Sequence, residues 1–209
     1  VFLEREGRDY GISDSFSKML KNPDFYLMLQ ELVDFGIARY QENYSRRYQD
    51  TDLVLYKKYT YEDACRLLGW EHNEVPLNIG GYKYDRKTKT FPVFINYDKR
   101  EDISDTTKYE DHFVSSSHLI AISKSGRTME SEDVQNFLKA RERGIDVQLF
   151  VRKNKDDKIS KEFYYLGRMT ATGCAKEFVM PNTDKTAVEI EWVLDTPVRE
   201  DIYEYIVNG

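Results

Sequence analysis

Apolar residues recur at near-helical spacing through residues 25–38, where Phe25, Leu27, Met28, Leu29, Leu32, Val33, Phe35 and Ile37 predict a long helix. Residues 40–47 read as its amphipathic, partly solvated end. Ser13 or Asp14 fits as the cap of a shorter helix before it, and Pro23 suits a first turn. A third helix is signed by Thr60 at the cap, Asp63 three residues on, a stripe of Ala64, Leu67 and Leu68, and Gly69 as the stop. These signals predict a helical N-terminal segment over residues 1–75.

From Leu77 the period changes to that of strands. Residues 78–84 and 91–97 read as a β-hairpin joined by the polar stretch 85–90. Residues 118–123 and 147–152 are short apolar strands, separated by a helix over 131–143 with Ser131 as its cap and Gly144 as its end. Residues 162–170 and 187–194 add two strands. In the latter, Val188, Ile190, Trp192 and Leu194 alternate with polar neighbours, as in a sheet with one wet face. A helix over 199–207 closes the chain. Strand–helix alternation happens once only, so the pattern predicts an α+β domain over residues 76–209, built on a curved or barrel-like sheet.

Composition narrows the function classes. The 209 residues fit one large domain, or one domain with a small appendage, and 14% aromatic content including 16 tyrosines supplies a core. A formal net charge of −6 excludes a general nucleic-acid coating protein, so any nucleic-acid site must be local. Cys65 and Cys174 have no metal-ligand spacing, which suits a reducing cytoplasm and predicts neither zinc nor a disulfide framework. No apolar run approaches the roughly 20 residues of a membrane span, so no membrane partner is expected. The initial Val1 leads us to expect a piece of a longer protein.

Signatures of catalysis are missing. The sequence has no P-loop, no GxSxG elbow and no HExxH helix, and Gly80–Gly81 lacks the dinucleotide pattern. Glu110-Asp111-His112 and the pair Glu189/Glu191 are the acidic clusters available to a metal nuclease, and solvated surface is the simpler reading of that pair. We expect no catalytic residue, no metal and no cofactor.

The distinctive region runs from Gly80 to Arg127. Tyr82, Phe94, Tyr97, Tyr109 and Phe113 are candidates to wall a slot, with Asp111 or Asn96 supplying a hydrogen-bonding group and Lys99, Lys124 and Arg127 facing phosphates. A flipped base needs these parts: stacking faces, an acceptor for its exocyclic amine, and cations for the backbone. Each aromatic taken singly also reads as core, and Asp111 also reads as a turn cap.

These residues carry a resemblance. The collinear segments YTYEDACRLLGW, NIGGYKYD, PVFINYDK, YEDHF, ISKSGRT, IDVQLFVRKN and EFYYLGRM, over about residues 59–170, resemble the C-terminal domain of bacterial superfamily-II helicases fused to a phospholipase-D-type nuclease. The domain is similar to the last part of SauUSI-like type IV restriction enzymes, which cut DNA carrying modified cytosine. The resemblance implies an SRA/PUA-like target-recognition domain in a bacterial cytoplasm. Its partners would be duplex DNA with methylated or hydroxymethylated cytosine and the helicase and nuclease domains of the same polypeptide. It implies Tyr97, Tyr109 and Phe113 as stacking residues, with Tyr82 and Asn96 beside them, and Asp111 as the acceptor at the base edge. Lys99, Lys124, Arg127, Lys83 and Lys87 would contact the DNA backbone. No tryptophan is expected in this pocket. The alternative is an interaction or regulatory module that docks on its helicase, which the acidic balance and the tyrosines would suit.

The charge is uneven along the chain. Residues 83–89 carry a net +3 and residues 152–161 also +3, whereas residues 184–201 carry −4. Two basic segments flanking a pocket fit an oriented, salt-sensitive DNA reader.

Overall fold

In a computed structural model the chain forms two compact units, residues 1–46 and residues 47–209. The structure describes residues 2–6, 9–72, 81–97, 111–153, 161–181 and 183–208.

The first unit opens on an antiparallel hairpin of β1 (Leu3–Glu6) and β2 (Asp9–Ile12), where helix was expected. The cross-strand partners Leu3 and Ile12, and Arg5 and Tyr10, obey the two-residue period of a strand, in runs too short to stand out in sequence. The expected helices then follow. In α1 (Asp14–Met19) the Ser13 hydroxyl accepts from the Phe16 N–H at 3.2 Å. At the start of α2 (Pro23–Tyr44) the Asn22 side chain accepts from Asp24 N and Phe25 N, with Pro23 in the first turn, where its missing N–H costs nothing.

The second unit holds a seven-stranded sheet. In chain order its elements are β3 (Lys58–Tyr59), α3 (Tyr61–Leu67), β4 (Thr90–Asn96), β5 (His112–Ser115), β6 (His118–Ile122), α4 (Glu132–Leu138), α5 (Ala140–Arg143), β7 (Asp146–Arg152), β8 (Phe163–Val179), β9 (Thr186–Leu194) and α6 (Glu200–Val207). The strand order is β4-β7-β8-β9-β6-β5, with β3 also on β8. Only β4 and β7 run parallel among the named pairs. The fold is α+β with a mostly sheet core, and among the described residues the sheet does not close into a barrel.

Both faces of β4 and β7 are buried. One face carries Phe91, Val93, Ile95, Val147, Leu149 and Val151 into a core completed by Val134 and Phe137 of α4 and by Ile202 and Ile206 of α6. The other carries Phe94 and Phe150, stacked at 4.8 Å, under Tyr59 and Tyr61. Residues 47–72 thus cover a face of the sheet and belong with it, although their helical pattern groups them with the front of the chain. Leu53, Ala64 and Cys65 are buried here. In α3, Thr60 accepts from Asp63 N at 3.1 Å and donates to the Asp63 carboxylate at 2.7 Å, a shorter-armed relative of the expected capping box. The helix expected over 131–143 breaks at Lys139 into α4 and α5; Ser131 is the N-cap residue as expected, but its hydroxyl accepts from Thr128 N and not from a first-turn N–H.

The strand expected over 162–170 is 17 residues long and changes partners along its length. Its first half pairs with β7 and its second half with β9. Register shifts fall at Gly167, with φ of +97°, and around Gly173, with φ of +93°. Such bulges bend and twist a strand, and β8 is thereby coiled at two points. No helix among the described residues is long and apolar enough to cross a membrane.

A Cβ at residue 167 would lie 3.2 Å from Leu55 Cδ2 and 3.3 Å from Tyr48 Cζ, on a backbone that L-residues rarely adopt. Gly167→Ala should therefore destabilise the second unit by about 2–4 kcal/mol. Urea denaturation should show a lower midpoint at an unchanged slope.

Candidate functional site

The curl of the sheet brings its two ends together. At one end, residues 81–85 lie against β4, through the bridges Tyr82 to Val93 and Asp85 to Thr90. At the other stand β5 and β6. Side chains, and no backbone–backbone hydrogen bond among the described residues, join these two ends along a seam. The Tyr97 hydroxyl accepts from Phe113 N at 3.5 Å, a long and weak bond. The Tyr82 hydroxyl accepts from Lys124 N at 2.9 Å, and the Lys124 ammonium donates to the Tyr82 carbonyl at 2.7 Å while lying 4.5 Å over the Tyr82 ring.

Tyr82 is the node of the seam. Its hydroxyl also donates to the Asp133 carboxylate at 2.9 Å, and the same carboxylate oxygen accepts from Arg127 Nε at 2.7 Å. Burial pushes the Tyr82 phenol well above its ordinary range and draws the Lys124 ammonium below its own. Burial also acts to raise the Asp133 carboxyl, but the hydrogen bonds from Arg127 and Tyr82 and the Arg127 charge outweigh it, so the group sits below the usual carboxylate range. The hydrogen bond to Asp133 holds Arg127 above its ordinary value.

Of the residues singled out from sequence, Tyr82, Tyr97, Asp111, Phe113, Lys124 and Arg127 gather along this seam. Tyr82, Tyr97 and Phe113 are buried, and the Tyr97 and Phe113 rings meet directly at 5.8 Å, with no third ring between them. Phe113 also packs edge-on to Tyr203 of α6 at 5.7 Å. Asp111 is half-buried, and its carboxylate accepts from Ile122 N at 2.8 Å, so it ties β5 to β6.

The structure does not bring Asn96 or Phe94 to the seam. Successive residues of a strand point to opposite faces, so Tyr97 turns inward while Asn96 turns to the outer face. There its Oδ1 accepts from Arg152 Nε at 2.5 Å, and the Arg152 guanidinium lies over the Phe163 ring. Among the cations, Lys124 and Arg127 are held within the seam, and exposed Lys87 pairs with Glu71 at 3.0 Å. Lys83 is half-exposed beside Tyr82. Tyr109 and Lys99 lie outside the described residues.

Two residues were not anticipated. Asp133 reads in sequence as an ordinary first-turn acid of α4, because its partner Tyr82 lies 51 residues away. Trp192 was expected outside the pocket, yet it lines a cavity of about 10 Å³ with Tyr82, Val93, Ser123 and Phe137. Its buried indole N–H has no acceptor among the described residues. The strict alternation of β9 identified Trp192 as inward-facing, but not which strand it faces. The larger depressions, of about 370 and 390 Å³, lie elsewhere and share the Arg168–Asp146 pair as a wall.

These features belong to a mixed α+β domain with one curled sheet and an aromatic, polar-latched seam. The chain is a member of the DUF3427 family, a domain family of unknown function, whose model matches residues 53–206. None of the curated proteins matches the chain. Among solved structures it is similar to the SRA domain of SUVH5 in complex with hemimethylated CG DNA, at 12% identity over 71% of this chain and 92% of that one, with a TM-score of 0.46. It is similar to KRYPTONITE in complex with mCHG DNA and SAH, at 10% identity over 89% of this chain and 41% of that one, with a TM-score of 0.47. A third is Arabidopsis thaliana SUVH6 in complex with SAM, at 12% identity over 71% of this chain and 27% of that one, with a TM-score of 0.45. All three are distant likenesses.

The latch is testable through Asp133. A carboxyl held below its unfolded value, near about 4, contributes stability that is complete above that value and lost as the pH falls through the folded one. Asp133→Asn should cost about 1–2 kcal/mol at pH 7. The gap to wild type should narrow below about pH 4, as followed by urea denaturation across pH.

Proposed function

We propose that residues 47–209 read a modified cytosine in duplex DNA, methylated or hydroxymethylated, by taking the flipped base into the seam between the sheet's two ends. The observation that carries this reading is that Tyr82 with Lys124, and Tyr97 with Phe113, bridge the two sheet ends with Asp111 on one side of the seam, while no backbone–backbone bond among the described residues closes it. An edge-to-edge junction made of side chains parts without breaking a strand ladder, so a base enters by displacing the Tyr82–Lys124 and Tyr97–Phe113 contacts. Aromatic faces would then stack on the base, and a carboxylate would accept from its exocyclic amine. The resemblance of the collinear segments to modification-dependent restriction enzymes supports the same reading. In that setting this chain is the reader, and cleavage and ATP hydrolysis belong to helicase and nuclease domains of a longer polypeptide in the bacterial cytoplasm.

Phosphate contacts fall on the basic segment 83–89 in this account. Lys124 and Arg127 stabilise the closed seam, whereas Lys83, Arg86, Lys87 and Lys89 concentrate positive charge beside it. Contact with DNA would exchange the exposed pairs of Arg86 with Glu132 and Lys87 with Glu71 for phosphates, a change that costs little because surface pairs are weak.

Fluorescence-anisotropy titration with matched duplexes tests this. A single modified cytosine should tighten binding by about tenfold or more over the unmodified duplex, and equal affinity for both would remove the modified-base reading. Asp111→Asn keeps an oxygen for the Ile122 N–H but removes the charge, so it should lower selectivity while the fold persists. The double change Lys83→Ala and Lys87→Ala should weaken both duplexes alike and reduce the slope of log affinity against log salt by about 2.

A further inference from the structure

Two lysines of the second unit rest on tyrosine rings and not on carboxylates. In the register of β3 against β8, Lys58 stands directly opposite Tyr164, and residues so paired point to the same face of a sheet. The Lys58 ammonium lies 4.7 Å over the Tyr164 ring. Tyr164 meets Tyr205 of α6 edge-on at 5.9 Å, and the Lys153 ammonium lies 5.8 Å over the Tyr205 ring. Ile202 and Ile206 anchor α6 in the core, which leaves Tyr205 beside them at the surface, 45% exposed. Lys58 is exposed and Lys153 half-exposed, and among the described residues neither pairs with an acid. Two acids stand nearest in sequence: Glu162, just before β8, and Glu204, which accepts from the Asn208 side chain at 2.7 Å.

This row begins at the seam. Tyr97 N donates to the Arg152 carbonyl at 2.7 Å, so Lys153 follows β7 at the level where Tyr97 follows β4. The strand order then sets Tyr97, Lys153, Tyr164 and Lys58 at or just past the ends of successive strands β4, β7, β8 and β3. Three strand spacings carry the row about 14 Å from Tyr97. On α6, Tyr203 reaches Phe113 at the seam and Tyr205 reaches the row. We infer that this row is a second track for the sugar–phosphate backbone of duplex DNA, and the inference builds on the reading of the seam as the entry for a base. A lysine over a ring keeps its whole charge, so it takes a phosphate without breaking an ion pair, unlike Arg86 and Lys87. The tyrosine hydroxyls add donors of the kind that phosphate oxygens accept. A track of about 14 Å spans about four phosphates of one strand along the duplex axis. The net +3 of residues 152–161 adds to the field there. The basic segment 83–89 joins β4 at its start, through the bridge of Asp85 to Thr90, whereas this row joins it at its end. The two tracks therefore stand about 20 Å apart, on either side of a base held between them.

Anisotropy titrations of the whole chain on modified and unmodified duplexes, repeated across salt, test the inference. Lys58→Ala with Lys153→Ala should weaken both duplexes about tenfold at about 0.1 M salt and reduce the slope of log affinity against log salt by about 2. The ratio between the two duplexes should not change. Lys58→Arg with Lys153→Arg should keep the wild-type slope, because a guanidinium also stacks on a tyrosine ring. Lys176→Ala with Lys185→Ala removes the same charge from exposed positions toward the far end of β8 and the start of β9, and should leave the slope unchanged. All four lysines lie at the surface, so these variants keep the fold, which the urea midpoint verifies. An unchanged slope in the Lys58 and Lys153 alanine pair, or an equal fall in the Lys176 and Lys185 pair, would overturn the inference. Equal wild-type affinity for both duplexes, with the slopes as expected, would remove the modified-base reading and leave the backbone track in place.

Discussion

The second unit depends on one constraint: β8 must bend twice. It pairs with β7 in its first half and β9 in its second, and the two bulges at Gly167 and Gly173 turn one continuous strand through both neighbours. Without the bends the sheet would be a flatter ribbon with two distant edges. With them, β4 and the residues that pair with it are carried round to β5 and β6. One of these bends falls at Gly167, where Leu55 and Tyr48 from the covering segment pack against the backbone. The seam is thus a consequence of backbone geometry in a strand to which it contributes no residue.

What holds the seam differs from what holds the rest of the sheet. Strand neighbours are joined by ladders, each member worth little alone but acting together. The seam has a buried tyrosine, a lysine whose ammonium burial holds below its ordinary range, and an arginine–aspartate pair that fixes the tyrosine hydroxyl. Partly buried polar networks are strong when every member is satisfied and weak when one is removed. Closure by such a network is all-or-none at a few side chains. On the proposed function, a base that supplies replacement contacts would open the seam while the surrounding ladders stay intact.

Much of this was legible in the sequence, and the remainder was hidden for definite reasons. The strands β4, β6, β7 and β9 and the helix starts at Ser13, Pro23 and Thr60 follow from local periodicity and capping, which need no distant information. The convergence of Tyr82, Tyr97, Asp111 and Phe113 was readable because residue types for one chemistry were crowded into one stretch. The length of β8 was obscured because its second half is exposed, so Thr172, Gly173 and Cys174 look like a loop. Residues 47–68 cover the sheet through Leu53 and Tyr59, a role that no periodicity announces. Asn96 and Tyr97 are adjacent in sequence but face opposite sides of the sheet, so a crowded stretch does not put both at the seam. Asp133 and Trp192 were missed because their partners are far away in the chain, and only the topology brings them to Tyr82.

The overall charge of −6 also looks different in three dimensions. Several cations near the seam are paired with acids, Arg127 with Asp133, Arg86 with Glu132 and Lys87 with Glu71, whereas Lys124 donates to the Tyr82 carbonyl. On the proposed function, such a surface would attract DNA only weakly from a distance and gain its selectivity on contact. On the proposed function, the seam opens to receive a base. A duplex with 2-aminopurine stacked beside the modified cytosine measures this directly, since its fluorescence rises when its neighbour leaves the helix. The account predicts a rise on saturation with wild-type protein, absent from the unmodified duplex and abolished in Tyr82→Ala at equal occupancy. Saturated binding with unchanged fluorescence on the modified duplex would contradict it.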